Sequence, residues 1–221
     1  MAVELWLIRH AQASFGAADY DNLSDLGHRQ SRALGAAIAE LGFTPDAAWI
    51  GAQKRHRQTL DGIMAGMGRQ MAPQIHAGWN EFDFTGLLNA RFDGQDAPDG
   101  IHTDRKTHFR ALRDTVLMWQ RGAITAPPED YADFTARVAD ARAAVRSSGI
   151  KRALVVSSGG AIGQTVAQIM DAPADAMIRL QLQVKNCAIA RLILSDKGDH
   201  LASFNETPHI CAATEELLSY S

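Results

Sequence analysis

Arg9 and His10, at the end of the run Val3-Glu4-Leu5-Trp6-Leu7-Ile8, hold the most reactive pairing in this chain. An imidazole lone pair can attack phosphorus, and a neighbouring guanidinium neutralises and orients phosphoryl oxygens through its planar fork. Three later stretches carry groups of matching type. Lys54-Arg55-His56-Arg57 sets cations at the apparent start of a helix, where the macrodipole disfavours them, so an anion is expected beside them. Glu81 and Asp83 lie among Trp79, Phe82 and Phe84; apolar surroundings raise a carboxyl pKa, which makes either acid a candidate proton donor. Ser158-Gly159-Gly160 stands between an apolar run and a helical pattern, where free backbone N–H groups can cradle an anion.

These groups need elements that bring them together. The run Val3 to Ile8 is bounded by polar residues and far shorter than a membrane span, so it reads as a buried strand. Open α/β sheets place ligands beyond the C-terminal ends of their strands, which is where Arg9 and His10 fall. Ala11 to Leu23 lacks periodicity and reads as a loop over the site. Ser24 then caps a helix with Leu26, Ala33, Leu34, Ala37, Ile38 and Leu41 at helical spacing and Gly42 as its stop. Asp46 to Ile50 and Pro73 to Ala77 are short candidate strands, separated by a helix that opens at Lys54 and buries Leu60, Ile63, Met64 and Met67.

Asn89 to Thr103 is rich in Asp, Gly and Pro and is expected to be loop; Phe109, Leu112, Val116 and Trp119 then mark a helical face. Tyr131, Phe134, Val138, Ala141 and Val145 mark another. We read residues 84 to about 128 as a helical insertion capping the site. Lys151 to Ser157 returns to strand, Ile162, Val166, Ile169 and Met170 give a helix, and Asn186 to Ser195 with His200 to Asn205 form a closing hairpin. The alternation predicts an α/β three-layer sandwich: a mainly parallel central sheet flanked by helices, in one domain over 1–221 with the cap insertion.

Composition narrows the partners. The 221 residues are 46% hydrophobic and 21% charged, ordinary for a soluble globular domain. A net charge of −3 leaves no electrostatic footprint for nucleic acid or an anionic membrane, so an anionic substrate must meet local cations. Cys187 and Cys211 imply no disulfide framework, and the start lacks a basic n-region and cleavage site; a cytoplasmic protein is expected. His102, Asp104 and His108 match no justified metal spacing, and a solvated loop is expected there.

The motifs, in their order, resemble those of the histidine phosphatase superfamily, the phosphoglycerate mutase-like family. Leu7-Ile8-Arg9-His10-Ala11 is similar to its Arg-His-Gly signature, and Leu23-Ser24-Asp25-Leu26-Gly27-His28-Arg29-Gln30 to its Leu-Thr-x-x-Gly-x-x-Gln helix start. Arg55-His56-Arg57-Gln58-Thr59 resembles the second arginine motif, Asn80-Glu81-Phe82-Asp83-Phe84 the proton-donor segment, and Val155-Val156-Ser157-Ser158-Gly159-Gly160 the Val-Ser-His-Gly-Gly segment. Phe204 to His209 resembles the terminal strand. The resemblance implies a phosphohistidine mechanism that needs no metal or other cofactor: His10 attacks, Arg9, Arg55, Ser158 and Gly159 hold phosphoryl oxygens, and Glu81 exchanges the proton. Gln12, Ser14 and His209 are implied substrate contacts.

Two positions depart from the family pattern. Ala11 replaces a glycine, and Ser158 stands where the family has its second histidine; a hydroxyl donates a hydrogen bond but cannot become cationic. His209, His56 and Arg57 are the residues that could compensate. The expected function is hydrolysis of a small phosphorylated metabolite. The alternatives are a weak or inactive member that binds a phosphorylated ligand or partner, and a phosphoglycerate mutase-type phosphotransferase.

Overall fold

The structure is a computed structural model that describes residues 2–14, 21–93, 101 and 104–220. Strands β1 (Val3–Arg9), β2 (Ala47–Ile50), β3 (Gln74–Ile75), β4 (Arg152–Ser157), β5 (Ile189–Leu194) and β6 (His200–Glu206) form one sheet ordered β3-β2-β4-β1-β5-β6. The pairs β1/β4, β4/β2 and β2/β3 are parallel, while β5 is antiparallel to both β1 and β6. Helices are α1 (Asp25–Glu40), α2 (Lys54–Gly66), α3 (Phe84–Arg91), α4 (Arg105–Gln120), α5 (Tyr131–Arg146), α6 (Gly159–Ile169) and α7 (Ala176–Gln181). The α/β three-layer architecture is as the sequence predicts.

The continuous apolar run of β1 follows from burial on both sides, as parallel strands require. Val3, Leu5 and Leu7 pack with Ala141 and Val145 of α5 and Ile162 and Val166 of α6. Trp6 and Ile8 alternate to the opposite face and meet Leu34 and Ile38 of α1 with Leu60, Ile63 and Met64 of α2. A third cluster joins Leu112, Val116 and Trp119 of α4 to Phe134, Val138, Met177, Ile178 and Phe82. Trp6 and Trp119 are therefore both core residues.

The local signals hold where a cap or a deep face supports them. Ser24 Oγ accepts from Gly27 N at 3.1 Å at the start of α1, and Gly42 takes a φ of +72° just beyond its end. Elsewhere the structure departs from expectation. Strand β3 pairs through Gln74 and Ile75, both exposed, because an edge strand needs no apolar face. Helix α3 runs through Arg91, into the stretch expected to be loop, because Asp83 caps it and Leu87 and Leu88 are buried beneath it.

Asp104 caps α4 by accepting from Thr107 N at 2.7 Å, and His108 Nδ1 lies 3.1 Å from the Ile101 carbonyl. His102 lies outside the described residues, among which no group of three or more acids, histidines or cysteines could hold a metal. No helix among them is long and apolar enough to cross a membrane.

Leu7 is fully buried at the centre of the sheet, so Leu7→Ala should cost about 2 to 5 kcal/mol by leaving a cavity. Urea unfolding of the two proteins checks this, and a loss below about 1 kcal/mol would place Leu7 outside the main core.

Candidate active site

The register of the central strands assembles the site. Arg9 on β1 is level with Ser157 on β4, and His10 N donates to the Ser157 carbonyl at 2.8 Å. His10 and Ser158 therefore leave the same rim side by side. Strand β2 pairs with β4 up to Ile50 and Val156, and the turn beyond it delivers Arg55 and His56 on the first turn of α2 to that rim.

His10 is 3% exposed, with Nδ1 2.8 Å from the carbonyl of Ala11. A carbonyl only accepts, so Nδ1 carries the hydrogen and Nε2 keeps its lone pair. Burial, then the charges of Arg55 and Arg9 and the neighbouring His56, hold the His10 pKa well below its ordinary value. The ring stays neutral and nucleophilic near neutral pH.

The cations are buried and held. Arg9 donates to the Val184 carbonyl, and Arg55 Nη1 pairs with Asp21 Oδ1 at 2.7 Å. Asp21 Oδ2 also accepts from the Lys54 backbone N at 2.8 Å, so this one carboxylate answers both the guanidinium and the positive end of α2. It is the anion the basic helix start required. Nothing local in the sequence identified it, because Asp21 reaches across from the loop after β1.

Glu81 and Asp83 separate clearly. Asp83 is exposed and caps α3, accepting from Gly86 N at 2.9 Å. Glu81 turns inward: Oε2 accepts from Gly160 N at 3.0 Å at the start of α6, and Oε1 accepts from Phe82 N at 3.2 Å. Burial raises its pKa, opposed by the Gly160 N–H, Arg55 and Arg9. Gly160 is required by this approach, since a Cβ there would lie 2.1 Å from Glu81 Oε1. The turn before Glu81 is pinned from two sides. Ser157 Oγ donates to the Trp79 carbonyl at 2.7 Å, and Arg137 of α5 donates to the carbonyls of Ala77 at 3.2 Å and Asn80 at 2.9 Å.

Three motif residues outside the rim hold the loop after His10. Thr59 Oγ1 accepts from Ala11 N at 3.0 Å, Gln30 Oε1 from Gln12 N at 2.9 Å, and Gln58 Oε1 from Leu23 N at 2.8 Å. The Gln12 side chain is engaged in the same scaffold, its Oε1 accepting from Ser24 Oγ at 2.8 Å. Ser14 is half-buried, with its backbone N bound to the Asn22 carbonyl at 2.9 Å.

The C-terminal tail, in which the sequence showed little pattern, supports the loop from below. Asn186 Nδ2 donates to the His10 carbonyl at 3.2 Å, Ser219 Oγ to Asn186 Oδ1 at 2.9 Å, and Gln30 Nε2 to Ser219 Oγ at 2.7 Å. His209 stands apart from these bonds: it is buried, and neither ring nitrogen has a hydrogen-bond partner among the described residues. Ser158, also fully buried, meets His56 instead, with Oγ 2.7 Å from His56 Nε2 and 3.4 Å from Arg55 Nη2. Gly159 follows it as the first residue of α6.

The sequence model of the family described as "Histidine phosphatase superfamily (branch 1)" matches residues 5–207. The 2,3-bisphosphoglycerate-dependent phosphoglycerate mutase of Maricaulis maris (strain MCS10) is 31% identical over 137 residues, 59% of this chain and 51% of that protein. The chain thus spans about half the length of that relative. Among solved structures, the alpha-ribazole phosphatase from Shigella flexneri superposes with a TM-score of 0.68 at 21% identity, over 93% of this chain and 97% of the other. A phosphoserine phosphatase from Entamoeba histolytica in complex with phosphoserine gives 0.64 at 18% identity, over 95% and 100%. At such identities the likeness is one of fold.

The buried histidines set a pH dependence. Burial pushes His209 down to about 4 from the ordinary 6.5, and His10 and His56 are lowered in the same sense. Below about pH 6.5 the unfolded chain binds protons at these rings that the folded chain refuses, so stability falls on acidification. Glu81, whose pKa is raised, acts oppositely; its stabilisation is lost as pH rises through its folded value. Three histidines outweigh one acid, and stability should fall between pH 6.5 and 4, with His209 supplying roughly 3 kcal/mol. His209→Leu should flatten that slope in urea titrations at several pH values; an unchanged slope would contradict it.

Proposed function

This chain belongs to the histidine phosphatase superfamily, and from that premise we propose that it is a metal-independent phosphomonoesterase acting on a small phosphorylated metabolite through His10. The observation that carries the reading is the bond between His10 Nδ1 and the Ala11 carbonyl, which leaves Nε2 unprotonated between two buried arginines. The Nε2 lone pair forms the bond to phosphorus as the ester P–O bond breaks, and Glu81 gives its proton to the departing oxygen. Glu81, now a carboxylate, takes a proton from water; the water oxygen attacks phosphorus, the P–N bond breaks, and inorganic phosphate leaves. Arg9 and Arg55, with Ser158 and the N–H of Gly159, hold the transferring oxygens.

In this reading the chain is of a branch that carries serine where the family has its second histidine. Gln12, Ser14 and His209 are assigned to the substrate side, and the helical insertion over 84–128 to specificity. Neither nucleic acid nor a membrane is a partner, and the cytoplasm is the proposed compartment. Identity to a phosphoglycerate mutase favours a second reading, phosphoryl transfer between carbon positions of a phosphoglycerate. A coupled mutase assay with and without bisphosphoglycerate separates the two.

Hydrolysis of p-nitrophenyl phosphate and of a panel of phosphorylated metabolites is the direct test. His10→Ala should abolish turnover with an unchanged circular dichroism spectrum, and Glu81→Gln should lower kcat by roughly 10²- to 10⁴-fold. Turnover that survives His10→Ala would exclude this mechanism. A wild-type protein that binds vanadate without turnover would instead be a ligand-binding member of the family.

A further inference from the structure

Ser158 makes an unusual set of contacts for a residue that precedes a helix. Its side chain accepts nothing from the first turn of α6. Its oxygen lies 2.7 Å from His56 Nε2 and 3.4 Å from Arg55 Nη2, and all three residues are buried. Arg55 can only donate. His56 Nδ1 is buried without a hydrogen-bond partner among the described residues, against Gly51, where an added Cβ would come within 2.6 Å of it.

A buried lone pair left bare is cheaper than a buried N–H left without an acceptor, so the hydrogen of His56 belongs on Nε2. Ser158 Oγ then accepts from both neighbours, and its own hydrogen is the one left to donate. Adjacent parallel strands lie about 4.8 Å apart, and Ser158 is one residue past Ser157 just as His10 is one past Arg9, so that hydroxyl borders the nucleophile. The His10 and His56 rings are themselves 5.8 Å apart between centroids.

We propose that His56 and Ser158 act as one unit in place of a second rim histidine, His56 Nε2–H orienting the serine hydroxyl so that it donates to the transferring phosphoryl group. His56 is here a positioning residue; Ser158 touches the substrate. Among the residues considered to compensate for the serine, His56 is the one that reaches it, and His209 does not. Burial and the charge of Arg55 keep His56 neutral, so the unit works as a directed hydrogen bond and the positive charge is left to Arg9 and Arg55. The inference rests on the phosphatase reading, but its test does not depend on turnover.

The test uses the full chain, with p-nitrophenyl phosphate for kinetics and orthovanadate for binding. Ser158→Ala and His56→Leu should each lower kcat about 10²- to 10³-fold with little change in KM, as loss of one preorganised donor does. The double variant should be no worse than either, and His56→Gln, which keeps a nitrogen donor, should recover most of the rate. Losses within threefold, or losses that multiply in the double variant, overturn the proposal. If the wild type binds vanadate but turns nothing over, the phosphatase reading fails alone, and vanadate affinity carries the same comparison: a non-additive loss of tenfold or more supports the unit, and unchanged affinity overturns it. A wild type with neither activity overturns both. Two-bond ¹H–¹⁵N correlations of the wild-type histidines read the His56 tautomer without a substitution at that position, and hydrogen on Nδ1 would overturn the proposal even if His56→Leu does not fold.

Discussion

The in-register pairing of β1 with β4 is the constraint on which the rest of this site depends. Arg9 opposite Ser157 sets His10 beside Ser158, and a one-residue slip would turn each of these side chains to the opposite face of the sheet. The register is secured by burial on both faces. Val3, Leu5 and Leu7 are committed to α5 and α6, and Trp6 and Ile8 to α1 and α2, so no displaced pairing preserves both cores. The geometry of the candidate site is thus a by-product of the same apolar alternation that stabilises the fold.

The rim concentrates positive groups in a buried place, and the surroundings answer them one at a time. Asp21 pairs with Arg55 and the start of α2, while Glu81 takes a backbone N–H from the start of α6. What remains after these pairings is a neutral histidine flanked by guanidinium groups, an arrangement suited to an incoming dianion. The lowered pKa of His10 and the raised pKa of Glu81 have the same leading cause, since burial disfavours whichever form is charged. One low-dielectric rim therefore lowers the proton affinity of an imidazole and raises that of a carboxylate.

Around the rim lies a scaffold whose purpose is to hold loops still. Gln30, Gln58 and Thr59 spend their side chains on backbone N–H groups of the loop after His10, and Asn186 with Ser219 ties the His10 carbonyl to the tail. Arg137, 4.7 Å over the ring of Phe134 and paired with Glu129, does the same for the turn that carries Glu81. These bonds fix backbone segments that lie outside the strands and α-helices of the fold.

The sequence by itself determined the parts whose cause is local or periodic. The buried strand that ends in Arg9 and His10, the Ser24-capped helix, the α/β alternation and the closing hairpin all follow from patterns a few residues long, and the ordered motifs pointed to the family. Tertiary structure decided what depends on distant partners. Glu81 and Asp83 are two residues apart in similar company; Asp83 caps α3 through a local bond to Gly86 N, and the arrival of α6 is what gives Glu81 its inward partner. Asp21 and Ser219 carry no periodic signal, because each acts through side-chain bonds to residues more than thirty positions away. Ser158 resembled a lost histidine in the sequence; the structure sets the imidazole of His56, 102 residues earlier, 2.7 Å from its hydroxyl, a contact that chain order alone could not bring about. Periodicity reports which face of an element is buried, whereas a side-chain hydrogen bond is settled by the packing of whole elements, and the chemistry of this rim is made of such bonds.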